Sequence, residues 1–312
     1  MMKFSLSSFT FLSILGFCAS LACGQRVHLA PRLHSGQILF YRIDFSVVRN
    51  TRTESRVASP ELPPTARLAI SGILQVEVVA TSANGLQLKT YFSERESASA
   101  TSTQSNAPAA TADTPVQVSI APNGVASQLK GYEQLSAEQK AAWTDWLSRF
   151  TTSMTFPPGG LHPGQKWHGE EPETTPAPIA GLAWSKKFQY VHDEPCPKLA
   201  GSSNSVPNQS SLASEPCAVI LVRATLRQKS PGKDSTPRDY KLNNLKTRGI
   251  ASGQNQTILY ISRSSGLLVR ATEDAQQSMD VNIALSDGSN QLRSSLAAKS
   301  RSEIVLLPDR LR

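Results

Sequence analysis

Imidazole and carboxylate side chains concentrate in one short stretch of the sequence. His162 and His168 lie six residues apart, and Glu170 and Glu171 follow directly. Together with His192, the two imidazoles could bind zinc, which accepts three nitrogen or oxygen ligands and a water molecule. The same groups could serve as general acids and bases. The spacing is loose for either site, so a metal- or acid/base-dependent hydrolase centred on His162 and His168 is the alternative function.

The sequence lacks the short motifs that identify common catalytic and cofactor sites. It contains no Gly-x-Ser-x-Gly nucleophile elbow, no His-Glu-x-x-His zinc helix, no phosphate-binding Gly-rich loop before a helix and no Cys-x-x-Cys pair. We therefore predict no catalytic residue, no metal ligand and no cofactor, and we favour a non-catalytic protein.

Two of the four cysteines occur in matching settings. Cys196 and Cys217 each follow a Glu-Pro dipeptide, at the inner ends of two strand-like segments. An oxidising compartment favours a disulfide between them, which would close a loop of about 20 residues and could stabilise the fold by roughly 3 kcal/mol.

The N-terminal residues 1–24 have the pattern of an export signal. A single cation, Lys3, precedes an apolar segment and then small residues, which predicts cleavage before Gln25. Lipid attachment at Cys23 is the less favoured alternative, because Ser20 stands where a lipoprotein signal usually has Leu. No later segment has the roughly 20 apolar residues that a membrane-spanning helix needs. We predict a periplasmic or secreted protein without a transmembrane segment in its mature chain.

The composition is that of a soluble globular protein. The 312 residues are 39% hydrophobic, 18% charged and 6% aromatic, which excludes coiled-coil, collagen-like and wholly disordered classes. Removing the signal takes away only Lys3, so 31 basic and 24 acidic residues remain, a net charge of +7.

Most of this excess charge lies in one segment, from Arg223 to Arg248, which has eight cations and two acids. Such a segment can bind an anionic lipid, glycan or envelope protein, whereas an exported protein seldom meets nucleic acid. The competing interpretation is a solvated loop that only keeps the protein soluble. The candidate partner-binding residues are Arg223, Arg227, Lys229, Lys233, Arg238, Lys241, Lys246 and Arg248.

The dominant hydrophobic period along the chain is two, which indicates strands with one buried face. Leu39 to Val47 alternate clearly, and Asn84-Gly85 predicts a tight hairpin turn. Further strands are predicted in the second half of the chain, at 188–191, 218–226, 257–262, 267–272, 279–285 and 303–307.

One helix interrupts this pattern, at about residues 136–154. Ser136 and Gln139 match a capping box, in which each residue satisfies a free backbone N–H at the helix start. Trp143, Trp146 and Phe150 fall on one stripe with Leu147 and Met154. We expect this stripe to pack onto a sheet. A carbohydrate or lipid platform is the alternative.

These elements predict a mainly β fold, a curved antiparallel sheet or incomplete barrel with one amphipathic helix. We expect residues 25–312 to form a single domain. Its long polar loops should be residues 94–114, 197–216 and 228–248, which contain too few apolar side chains to pack.

Two short segments resemble poorly characterised exported bacterial β-rich proteins. The segment Pro163-Gly164-Gln165-Lys166-Trp167, after Pro157-Pro158, is similar to their Pro and Gly-x-x-Trp punctuation, and residues 36–41 are similar to their first strand. The resemblance implies an envelope or secreted protein of unknown function and supplies no catalytic residues. Taken together, the sequence predicts a non-catalytic exported protein that binds a lipid, glycan or protein partner.

Overall fold

The computed structural model describes residues 26–55, 65–94, 115–173, 177–197, 215–229 and 235–308. The predicted export signal lies outside these residues, as do residues 95–114 and 198–214 of the predicted polar loops.

Eleven strands, two α-helices and one short 3-10 helix, Tyr132–Gln134, make up the regular structure of the described residues. The helices are α1, Ala137–Met154, and α2, Arg238–Leu242. The strands are β1 Ile38–Ser55, β2 Thr65–Ser82, β3 Gly85–Glu94, β4 Val116–Ile120, β5 Ala126–Lys130, β6 Lys166–Pro172, β7 Leu182–Pro195, β8 Pro216–Gln228, β9 Leu245–Ser262, β10 Leu268–Leu285 and β11 Leu292–Leu307.

All eleven strands form one antiparallel sheet in the order β5-β4-β3-β2-β1-β11-β10-β9-β8-β7-β6. The first and last strands of the chain therefore pair with each other at the centre of the sheet. β5 and β6 form its two edges, and α1 lies between them in the sequence. The predicted mainly β architecture, an unclosed sheet with one main helix, is confirmed.

Alternating side chains give this sheet two chemically different faces, which we call inner and outer. The inner face has the main apolar core, where α1 packs against β1, β2 and β10. The outer face has polar and charged side chains in the middle of the long strands. The fully buried inner-face residues include Tyr41, Ile43, Leu74, Val76, Ile220, Leu259 and Ile304.

Helix α1 begins with the predicted capping box and buries its aromatic stripe. The Gln139 backbone N–H donates to Ser136 Oγ at 3.2 Å, and the Ser136 N–H donates to Gln139 Oε1 at 3.0 Å. Trp143 and Trp146 are at most 1% exposed, and Trp143 Nε1 donates to Thr90 Oγ1 at 2.8 Å. The stripe therefore packs in the core and is no exposed ligand platform. Among the described residues, no helix has the length and apolar character needed to cross a membrane.

The later strands are longer than their hydrophobic patterns predict. β10 is a single strand where the sequence predicts two, because the polar residues 273–278 pair with β9 on one side and β11 on the other. The prediction of a polar loop at residues 228–248 is wrong in large part, since this segment contains α2 and the start of β9. Backbone pairing on both sides extends these strands through residues that bury little apolar surface.

The predicted disulfide is present in the structure. Cys196 and Cys217 are joined at the end of the β7–β8 pair, with their Cα atoms 4.9 Å apart. Both residues are buried, in a small cluster with Val269.

We predict that Trp143→Ala and Trp146→Ala each lower the free energy of unfolding by about 3–5 kcal/mol, because each would leave a large cavity between helix and sheet. Urea midpoints measured by circular dichroism test this. Val125→Ala is the matched control, since Val125 is 59% exposed and should change stability little. A tryptophan variant as stable as this control would contradict the packing.

Candidate functional site

The histidines of the alternative hydrolase site do not form a metal-binding group. His162 Nδ1 lies 3.0 Å from the Pro163 carbonyl oxygen, and His192 Nε2 lies 2.9 Å from Glu194 Oε2. Within the residues that the structure describes, no group of three or more His, Cys, Asp or Glu side chains could hold a metal ion. The fold therefore does not bring these residues, which are loosely spaced in the sequence, together as a metal site.

The carboxylates of the same patch pair with lysines instead. Glu170 Oε1 lies 2.9 Å from Lys229 Nζ, and Glu171 forms an ion pair with Lys186. Their sheet neighbours explain this, because Glu170 and Glu171 are on the edge strand β6 beside β7. These pairs tie the edge of the sheet to its interior strands, which is a structural role.

A buried ionic cluster joins α1 to the inner face of the sheet. Arg149 forms ion pairs with Asp145, at 3.0 Å, and with Glu273. Thr257 Oγ1 donates a hydrogen bond to Glu273 at 2.9 Å. All four residues are buried. One arginine faces two carboxylates here, and its contacts with Glu273 hold the helix on β10.

The outer face of the central strands has a shallow groove of about 750 Å³. Its lining follows from the strand register, because residues at the same level on neighbouring strands form two rows across the sheet. The first row runs across Arg223, Gln256, Asp274, Arg301 and Ser46. The second row runs across Thr225, Gln254, Gln276, Lys299 and Val48. We call this site the outer-face groove.

Cations outnumber acids in the outer-face groove. Arg223, Lys299 and Arg301 line it together with one acid, Asp274. Arg301 Nε donates to Asp274 Oδ1 at 2.8 Å, and this hydrogen bond raises the pKa of Arg301. Among the described residues, Arg223 and Lys299 have no acidic partner within ion-pair distance. Two of the three cations in the groove are therefore not neutralised by an ion pair.

Further cations extend both rows beyond the groove. Lys187 on β7 lies opposite Arg223, and Arg67 on β2 lies opposite Val48. Both side chains are exposed. The rows thus present positive charge across seven strands, a width of roughly 30 Å at the usual spacing of about 4.8 Å between strands.

The basic segment predicted from the sequence is divided among several places. Arg223 lines the outer-face groove, and Lys229 pairs with Glu170. Lys233 lies outside the described residues. The other five residues are on the outer face of β8 and β9 or on α2, and they are Arg227, Lys246, Arg248, Arg238 and Lys241. The segment is therefore not one continuous loop.

Sequence reasoning missed Lys299 and Arg301, which supply most of the positive charge in the groove. They are on β11, far from Arg223 in the sequence, and only the pairing of β8, β9, β10 and β11 brings them together. The signal available was their alternation with Ala298 and Ser300, which indicates a strand with an exposed polar face.

Comparisons with known proteins establish no family. No protein-family model matches the chain, and no curated protein matches it. Among solved structures, the outer membrane protein OprG from Pseudomonas aeruginosa aligns at 6% identity over 88% of this chain and 97% of that chain, with a TM-score of 0.19. A hot dog fold protein of unknown function from Alicyclobacillus acidocaldarius aligns at 11% identity over 89% and 80% of the chains, with a TM-score of 0.10. TM-scores this low do not indicate a common fold.

We predict that Arg149→Met lowers the free energy of unfolding by about 3–5 kcal/mol, because it leaves two buried carboxylates without their counter-ion. A variant that also carries Asp145→Asn and Glu273→Gln should recover much of this loss. Urea midpoints at pH 7 compare the two proteins. Equal midpoints for Arg149→Met and the parent would mean that the cluster does not hold the helix in solution.

Proposed function

We propose that this protein is a non-catalytic exported binding protein that holds an anionic glycan in the outer-face groove. The observation that carries the proposal is the pair of cross-strand rows, which together place three cations among amide and hydroxyl side chains. The groove crosses five strands and is open to solvent along its length, which suits an extended chain better than a compact metabolite.

The side chains of the groove favour a glycan over a lipid. Gln254, Gln256 and Gln276 can each donate and accept hydrogen bonds, as sugar hydroxyl groups require. Arg223 and Lys299 can pair with carboxylate or sulfate groups spaced along a chain. An acyl chain would find little apolar surface here, since Val48 is the one large aliphatic residue of the two rows.

The composition of the groove supports binding over catalysis. Its lining, all of it within the described residues, contains no His and no Cys, and its one carboxylate is hydrogen-bonded to Arg301. Its hydroxyl groups, on Ser46, Thr225 and Ser300, have no imidazole beside them in the groove to act as a general base. These side chains favour ligand binding over catalysis.

Two features support export. The pattern of residues 1–24 is that of an export signal, and the Cys196–Cys217 disulfide is a type of bond that persists in oxidising compartments. An anionic glycan of the envelope or of the surroundings is the kind of polymer that such a protein would meet.

We predict that the triple variant Arg223→Gln, Lys299→Gln, Arg301→Gln binds an acidic oligosaccharide at least about tenfold more weakly than the parent, a loss of about 1.4 kcal/mol. The probe is an oligogalacturonate of about six units, measured by isothermal titration calorimetry at 50 mM and 300 mM NaCl. Parent affinity should fall with salt, because exposed charges are screened. A neutral dextran oligosaccharide of the same length should bind much more weakly.

The matched control removes the same charge elsewhere. Arg32, Lys89 and Lys130 lie outside the groove, and changing all three to Gln should leave the affinity within about twofold. Conversely, Asp274→Asn should tighten binding, because it removes the one acid of the groove. Equal losses in the groove variant and the control variant would mean that net charge, and not the groove, attracts the glycan.

A further inference from the structure

Two aliphatic side chains are unusually exposed at one end of the sheet. Leu242 on α2 and Ile250 on β9 are each 73% exposed, the highest values among the large hydrophobic residues that the structure describes. They lie close together in the chain, on the connection from β8 into β9. We call α2 and the first residues of β9, 238–250, the distal tip.

Several cations lie near these two aliphatic residues in the sequence. Arg238, Lys241, Lys246 and Arg248 are all in the distal tip, against one acid, Asp239, which gives a net charge of +3. Their side chains are exposed. Lys246 and Arg248 share the outer face of β9 with Ile250, because alternate residues of a strand point to the same side.

The β9 part of the distal tip extends beyond the end of its pairing with β8 and stays paired with its other neighbour, β10. The pairing of β8 with β9 ends at Leu226 and Gly253, so residues 245–252 are paired by β10 alone within the described chain. The apolar core that β9 shares with α1 lies further along the strand, at Leu259, nine residues from Ile250 or roughly 30 Å at about 3.3 Å per residue. The tip can therefore contact a flat surface without disturbing the helix.

We propose that the distal tip docks on an anionic phospholipid surface. Leu242 and Ile250 would enter the interface of the bilayer, while Lys246, Arg248 and Arg238 contact the lipid phosphates. Peripheral binding of this kind needs two signals, an apolar insertion and a basic patch, and the tip has both. The proposal is independent of the outer-face groove.

The charge of the distal tip disfavours two other binding partners, a second copy of this chain and another protein. A second copy of this chain would place +3 against +3, which repels. A protein partner usually requires a continuous apolar centre, whereas cations separate Leu242 from Ile250 along the chain. A negatively charged bilayer complements both the sign of the charge and the isolated aliphatic residues.

Vesicle sedimentation of the mature protein tests this proposal. The probes are vesicles of 30% phosphatidylglycerol in phosphatidylcholine and vesicles of phosphatidylcholine alone, at 100 mM and 500 mM NaCl. We expect binding to the anionic vesicles at low salt and several-fold weaker binding in high salt or to the neutral vesicles. The double variant Leu242→Ser, Ile250→Ser should bind about tenfold more weakly, as should Lys246→Gln with Arg248→Gln.

Two matched controls distinguish binding through the distal tip from non-specific binding to vesicles. Val125→Ser with Leu129→Ser removes two exposed aliphatic residues elsewhere, and the groove triple variant removes three outer-face cations; neither should change vesicle binding more than about twofold. The proposal is overturned if the parent does not sediment with anionic vesicles, or if the tip variants bind like these controls. It is also overturned if Leu242→Ser with Ile250→Ser dissolves a dimer seen by sedimentation equilibrium, since the tip would then contact a second copy.

Discussion

The packing of α1 against the inner face of the sheet is the interaction on which the rest of the structure depends. An unclosed sheet with long strands exposes one apolar face unless another element covers it. Trp146 lies against Tyr41, with ring centroids 6.0 Å apart, and Arg149 anchors the same helix to Glu273. Because the helix fills this face, the inner side near α1 is occupied by protein. A ligand of appreciable size is then best received on the outer face.

Packing on the inner face also sets the geometry of the outer-face groove. Gly253 on β9 lies under the Trp184 ring, where an added Cβ would come within 2.9 Å of the indole and 3.2 Å of Leu226. Glycine thus lets the aromatic ring approach the backbone directly beside Gln254, a residue of the groove. A larger residue at Gly253 would have to displace the ring or the strand. The inner core therefore fixes the register that brings the two rows of the outer face into line.

The parts of this fold that could be predicted from sequence are those that local physics determines. The capping box of Ser136 and Gln139 and the aromatic stripe of α1 are short-range signals, and both are confirmed. The strand starts at Leu245 and Leu292 were not predicted, because polar residues there gain order from pairing with neighbours and not from burial. The outer-face groove could not be predicted from the sequence, because it too depends on strand pairing. Arg223 and Arg301 become neighbours across β9 and β10 only through strand order, which composition and periodicity do not encode.

The positions of the groove and the distal tip on one molecule have an electrostatic consequence. Gln254 of the groove is four residues from Ile250 of the tip along β9, roughly 13 Å, which exceeds the Debye length of about 8 Å at physiological ionic strength. Cations of both sites are on the same outer face, and Asp280, directly opposite Ile250 on β10, is already held by Arg293 at 2.8 Å. At this ionic strength the fields of the two sites are therefore largely screened from each other, which is why variants of the groove and of the tip should act independently. Only at a salt concentration near 0.01 M, where the Debye length reaches about 30 Å, would the fields overlap, and an anionic polymer approaching the groove would then be attracted by the tip as well.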